Sequence, residues 1–133
     1  MSKRPWEISA SAGRPWISGP EDPGQGRKVI SKFYHTPAWR RLRAAFIAGE
    51  STHLGTEDPH PNCLCIDCAR IGRSTPVHTV DHIKPINRKD AYNTENGKWG
   101  EPLEWENLQP LCSTHNAKKT IKDKEYYAYD NKD

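Results

Sequence analysis

Apolar positions in this chain come in short bursts separated by long polar runs. Between Phe33 and Ala48, Trp39, Leu42, Ala45 and Phe46 recur at helical spacing, and the arginines at 40, 41 and 43 fall mostly off that stripe. Thr36 is placed to cap a helix, Pro37 suits its first turn and Gly49 supplies a stop, so one amphipathic, basic helix is predicted here. Residues 1–32 carry no such periodicity and are rich in Gly, Pro and Ser, which predicts a flexible arm. Within it Arg4-Pro5-Trp6 is echoed by Arg14-Pro15-Trp16, two copies being too few for a repeat architecture. Residues 50–62 read as a polar loop. Val77 to Ile83 is β-prone and is closed by Pro85, and Leu108 to Leu111 is a second short strand. A polar, Gly-containing stretch over 88–101 separates them as a surface loop, and Ser113 to Lys124 holds good helix formers. The order strand, loop, strand, helix predicts a small α+β domain.

Composition changes this picture in one respect. Of 133 residues only 34% are hydrophobic, with 11 Pro and 9 Gly, and the mean hydropathy is −0.95. Ordering each residue costs roughly 1–2 kcal/mol of backbone entropy, so a chain this polar needs a staple beyond its apolar core, and a metal is the obvious one. No apolar run approaches the roughly 20 residues that span a bilayer, and no apolar stretch follows the charges at the N-terminus. A cytoplasmic location is expected, where cysteines serve as metal ligands more readily than as disulfides. The net charge of +3 is mild, but Arg27, Lys28, Lys32, Arg40, Arg41 and Arg43 precede Gly49 without an intervening acid. That stripe suits a polyanion such as DNA, and equally a solvated helix face.

Cys65-x-x-Cys68 and Cys112-x-x-His115 form two half-sites. Each turn presents two soft ligands to one ion, and together they complete the tetrahedron that Zn(II) prefers. Cys63 sits close enough to take the place of His115 in a four-cysteine site; the two regular pairs need less loop distortion. Between the half-sites lies Thr79-Val80-Asp81-His82-Ile83-Lys84-Pro85. On a strand Asp81 and His82 point to opposite faces, so that at the strand end one can bind a metal while the other faces substrate; the plain alternative is a turn pair satisfied by backbone. His78 has no evident ligand partner and reads as structural or exposed.

Cys65-x-x-Cys68, Gly72-Arg73-Ser74-Thr75-Pro76, Val80-Asp81-His82-Ile83-Lys84-Pro85, Asn107-Leu108-Gln109-Pro110-Leu111-Cys112 and His115-Asn116-Ala117-Lys118-Lys119-Thr120, in this order, resemble the HNH endonucleases, above all the small zinc-containing ones encoded by bacteriophages. Phe33-Tyr34 with Trp39-Arg40-Arg41-Leu42-Arg43 resembles the helix that precedes the core in that group. The resemblance covers about residues 33–124, leaving an arm over 1–32 and a tail over 125–133. It implies a ββα-metal (His-Me finger) core around one divalent ion, with Asp81 as metal-binding carboxylate, His82 as general base and Asn107 as the middle Asn that braces the loop. The third named residue falls on Asn116, where the commonest pattern has histidine, so His115 takes the slot of a zinc cysteine. This resembles the His-Asn-Asn variant of RNA-guided nucleases, and a carboxamide favours Mg(II) or Mn(II) over imidazole-preferring metals. A register with His115 on the catalytic metal and Cys63 on zinc is the competitor. Lys119 or its neighbours would hold the DNA backbone near the metal, a solvated basic face being the ordinary alternative. The resemblance further implies cutting of duplex DNA with little sequence preference, and work beside phage terminase and portal proteins in a host cell's cytoplasm. The rival from another class is a zinc-ribbon module that binds DNA or protein without cutting it.

Overall fold

The computed structural model describes residues 25–130; the arm over 1–24, with both Arg-Pro-Trp copies, and the last three residues lie outside the described part. Helix α1 spans Gln25–Tyr34 and so crosses the boundary drawn at residue 32. Helix α2 spans Pro37–Ala48. The hydroxyl of Thr36 accepts the Trp39 amide at 3.2 Å, Pro37 occupies the first turn where no amide partner is lost, and Gly49 closes the end. The buried stripe of α2 is Trp39, Arg43 and Phe46. Ala45 is exposed, because at 100° per residue it lies about 120° from Trp39 whereas Arg43 lies about 40° away. Arg43 is therefore withdrawn from the basic stripe, and Arg40 and Arg41 remain exposed on it.

Strands β1 (Glu50–Ser51) and β2 (His60–Pro61) pair antiparallel within the expected polar loop. Helix α3 spans Ile66–Arg70. Strand β3 (Thr79–His82) pairs antiparallel with β4 (Leu108–Leu111), in a register that sets Thr79 opposite Leu111 and His82 opposite Leu108. A single 3-10 turn over Trp105–Asn107 leads into β4, and helix α4 runs from Ser113 to Asp130 rather than stopping at Lys124.

Two apolar cores flank the β3–β4 ribbon. Phe33, Trp39, Phe46, Val80, Ile86, Ala91 and Leu108 form one, while Leu54, Cys65, Ile66, Cys68, Leu111 and Cys112 form the other. Strand β4 contributes to both. The stretch over 88–101 is irregular, as expected, but Ala91, Trp99 and Gly100 within it are buried. The far end of α4 pins it: Trp99 stacks on Tyr127 with ring centroids 5.3 Å apart, and the Tyr127 hydroxyl donates to the Ile86 carbonyl at 2.9 Å. His78 is exposed; its ring meets only the hydroxyl of its neighbour Thr79 among the described residues, and its amide donates to the Leu111 carbonyl at 2.8 Å.

Candidate active site and metal cluster

Cys65 sits at the N-cap of α3, where its Sγ accepts the Cys68 amide at 3.4 Å. The two sulfurs thus belong to one turn. Cys112 closes β4, and the first turn of α4 brings His115 back over it, with the Asn116 amide donating to the Cys112 carbonyl. The ligand atoms of Cys65, Cys68, Cys112 and His115 all lie within 4.8 Å of one another. The separation between Cys68 Sγ and Cys112 Sγ is 3.7 Å, and His115 Nδ1 lies 3.6, 3.4 and 3.3 Å from the sulfurs of Cys65, Cys68 and Cys112. A tetrahedral zinc ion with Zn–S near 2.3 Å and Zn–N near 2.0 Å requires edges of about 3.8 Å between sulfurs and about 3.5 Å between sulfur and nitrogen. The donor set fits that ion. Cys63 is exposed and stands outside the cluster, so His115 is the fourth member.

The thiols differ in acidity. Burial works against ionisation of Cys112, but hydrogen bonds from the backbone and ring of His115 and from the other two thiols outweigh it and bring the group down to about 6. Burial holds Cys65 above the ordinary thiol value. Several adjacent thiolates repel one another unless a dication neutralises them, which is what a structural zinc supplies.

At the other end of the ribbon, Asp81 and His82 do point to opposite faces. The largely shielded Asp81 faces α4: its Oδ2 accepts from Gln109 Nε2 at 3.0 Å and lies 3.2 Å from Lys119 Nζ. His82 points the other way into an aromatic nest, with ring centroids 5.1 Å from Trp39, 6.0 Å from Phe33 and 6.1 Å from Tyr34. It is only 4% exposed, so it does not look outward as a substrate-facing residue at a strand end would. Its Nε2 lies 2.9 Å from the Pro102 carbonyl. A carbonyl can only accept, so Nε2 carries the proton and the lone pair is left on Nδ1. The Tyr34 hydroxyl lies 3.4 Å from that atom. Burial first, then the neighbouring Tyr127, Asp81 and Asp123, holds the Tyr34 hydroxyl far above the usual phenol value, so it is the donor. Burial also keeps the His82 imidazole below its ordinary value and hence neutral at pH 7.

Asn107 braces the loop between these groups. Its Oδ1 accepts the Lys84 amide at 2.8 Å, and its Nδ2 donates to the carbonyls of Lys84 at 3.1 Å and Glu101 at 3.0 Å. Glu101 adjoins Pro102, so Asn107 fixes the carbonyl that sets the His82 tautomer. The brace needs a glycine beside it: a methyl on Gly100 would overlap the Lys84 carbonyl and lie 2.5 Å from Asn107 Nδ2. Gly100→Ala is therefore expected to cost about 1–3 kcal/mol or more of stability through overpacking, read as a lowered urea midpoint.

Asn116 is half-buried on the first turn of α4, one turn before Lys119 on the same helix face. No hydrogen bond joins it to Asp81 among the described residues. Lys119 is not a solvated, DNA-facing lysine; its ammonium is turned inward to Asp81, Asp123 and the His82 carbonyl. The sequence reading missed Asp123, Tyr34 and the Pro102 carbonyl as parts of this site. The Lys119–Asp123 spacing of four residues was a visible helical pair, whereas nothing in the sequence marks which backbone oxygen an imidazole meets.

The family model for HNH endonuclease matches residues 65–122, a span that begins at Cys65 and takes in Asp81, His82, Asn107 and Asn116. The crystal structure of the HNH endonuclease of the deep-sea thermophilic bacteriophage GVE2, with manganese ion, is similar at 30% sequence identity and a TM-score of 0.53, over 77% of this chain and 90% of that one. No curated protein matches the chain in sequence. The family model and the solved structure agree, and the chain belongs to the HNH endonuclease family, as a nuclease that hydrolyses phosphodiester bonds.

Proposed function

We propose that this nuclease cuts duplex DNA with the help of one divalent cation, Mg(II) or Mn(II), and that a Zn(II) ion staples its fold through Cys65, Cys68, Cys112 and His115. The observation that carries the reading is the fixed tautomer of His82: its Nε2–H is spent on the Pro102 carbonyl, which leaves Nδ1 unprotonated beside the Tyr34 hydroxyl. Asp81 and Asn116 offer the oxygen donors that a hard cation takes, and the GVE2 endonuclease structure carries manganese. Such a cation, when bound, neutralises charge on the scissile phosphate and the leaving oxygen. The rest falls to the chain itself. Nδ1 of His82 takes the proton of the attacking water once the Tyr34 hydroxyl yields its hydrogen bond. Asn107 holds the loop so that Nδ1 stays in place during the transfer.

Among the described residues no base-reading element lies around the site, which supports cutting that depends on the phosphate backbone rather than on base edges. No helix among the described residues is long and apolar enough to cross a membrane. The phage origin of the similar structure supports a role in DNA packaging beside phage terminase and portal proteins; added terminase and portal protein would then raise the cutting rate. The direct test is supercoiled plasmid incubated with Mg(II) or Mn(II). Wild type should yield relaxed or linear product, and Asp81→Asn and Asn116→Ala should lose it while retaining one zinc per chain. Undiminished cutting by Asp81→Asn would overturn the assignment.

A further inference from the structure

Lys119 makes an unusual set of contacts for a helix-surface lysine. Its Nζ donates to Asp123 Oδ1 at 2.8 Å and Oδ2 at 2.9 Å and to the His82 carbonyl at 2.9 Å, and it lies 3.2 Å from Asp81 Oδ2. The side chains of Lys119, Asp81 and Asp123 are 15%, 14% and 21% exposed. An ammonium has three protons, and here three groups meet them, so Lys119 has no donor left for a phosphate. Two acids held this close depend on the ammonium between them, because like charges at such range repel strongly where water is scarce. A divalent cation approaching Asp81 would meet that same ammonium as a competitor.

We propose that Asp123 is a positioning residue that acts through Lys119: it draws the ammonium away from Asp81 when a divalent cation binds there, and so lowers the competition between the built-in cation and the incoming one. Asp123 lies one residue beyond the segment that the family model matches, four residues past Lys119, where one turn of α4 brings the two side chains together. Without Asp123 the ammonium has only Asp81 and the His82 carbonyl to hold, and it stays on Asp81. Without Lys119 the carboxylates present uncompensated charge, and a dication is the best available partner. The inference rests on the reading of Asp81 as a metal ligand.

The test is Mn(II) binding to the full zinc-loaded chain without DNA, followed by the paramagnetic resonance of free Mn(II), with a melting curve for each variant to establish folding. Lys119→Met is expected to tighten Mn(II) binding by about 3- to 10-fold, and Asp123→Asn to weaken it by a similar factor. In the double variant the Asp123→Asn substitution should change the Kd by less than about twofold relative to Lys119→Met alone. A Kd that is unchanged or weaker in Lys119→Met overturns the proposal. So does an equal weakening by Asp123→Asn with and without Lys119, which would make Asp123 a ligand in its own right. Asp81→Asn separates the two levels: if it binds Mn(II) as wild type does, the metal-ligand reading of Asp81 fails and this inference fails with it. If Asp81→Asn loses Mn(II) while Lys119→Met gains nothing, only the inference fails.

Discussion

Stripping the ion from the Cys65, Cys68, Cys112 and His115 cluster, or replacing Cys68 with serine, is expected to abolish cooperative unfolding at 25 °C rather than merely to lower the melting temperature. The magnitudes decide this. A structural zinc site contributes an apparent ~10–16 kcal/mol in small zinc-dependent folds, while a whole domain is stable by only ~5–15 kcal/mol. The cysteines are also part of the packing: Cys65, Cys68 and Cys112 belong to the second core with Leu54, Ile66 and Leu111. Losing the ion leaves buried thiolates facing one another and loosens that core at the same time. Circular-dichroism melts before and after chelation, alongside zinc analysis, provide the check. A chelated protein that still melts cooperatively within a few degrees of the loaded one would show that apolar packing alone holds the fold.

His82→Ala should lower plasmid cutting by about 10²–10⁴-fold, the range that a positioned general base contributes, with zinc content unchanged. The residue is buried among Phe33, Tyr34 and Trp39, so removing the ring also leaves a void, and the melting temperature should fall by several degrees. The two effects separate when rates are compared well below the variant's melting temperature. Tyr34→Phe is the companion measurement, since it keeps the aromatic packing and removes the hydroxyl beside Nδ1. It should leave cutting within about tenfold of wild type, because the donated hydrogen bond at 3.4 Å is too long to be a strong one. Cutting by His82→Ala at the wild-type rate would remove His82 from the chemistry.

Much of the fold was legible because it is built from local signals. Thr36-Pro37 and Gly49 mark the ends of α2 through capping chemistry that depends on neighbours in sequence. The pairing of β3 with β4 follows from two short β-prone runs, and the spacing of the two pairs points to Cys65, Cys68, Cys112 and His115 as one group that could hold a metal ion. What escaped was set by distant contacts. Nothing between residues 25 and 32 advertises a helix, and the wider extent of α4 follows from Trp99 packing on Tyr126 and Tyr127. Ala45 and Arg43 exchanged their expected places for a local reason instead, the 100° helical step that sets Arg43 about 40° and Ala45 about 120° from Trp39. In the site, candidate residues were legible and their orientation was not. The sequence offers Asp81, His82, Asn107 and Asn116 as candidates, while the inward turn of Lys119 and the burial of His82 depend on groups from α1, α4 and a loop carbonyl.

The ribbon that carries the acid and the imidazole is only four residues long in each strand. Side chains alternate along a strand, so sliding one strand past the other by a single residue would swap the seats of Asp81 and His82. Four rungs leave no spare length to resist that slip, and the resistance has to come from the two ends: the thiol cluster beyond Thr79 and Leu111, and the Asn107 brace beyond His82 and Leu108. A molecule that loses either clasp does not become a slower or less selective nuclease. It loses the register that seats the acid toward α4 and the imidazole in the aromatic nest, and with it the arrangement proposed for cutting.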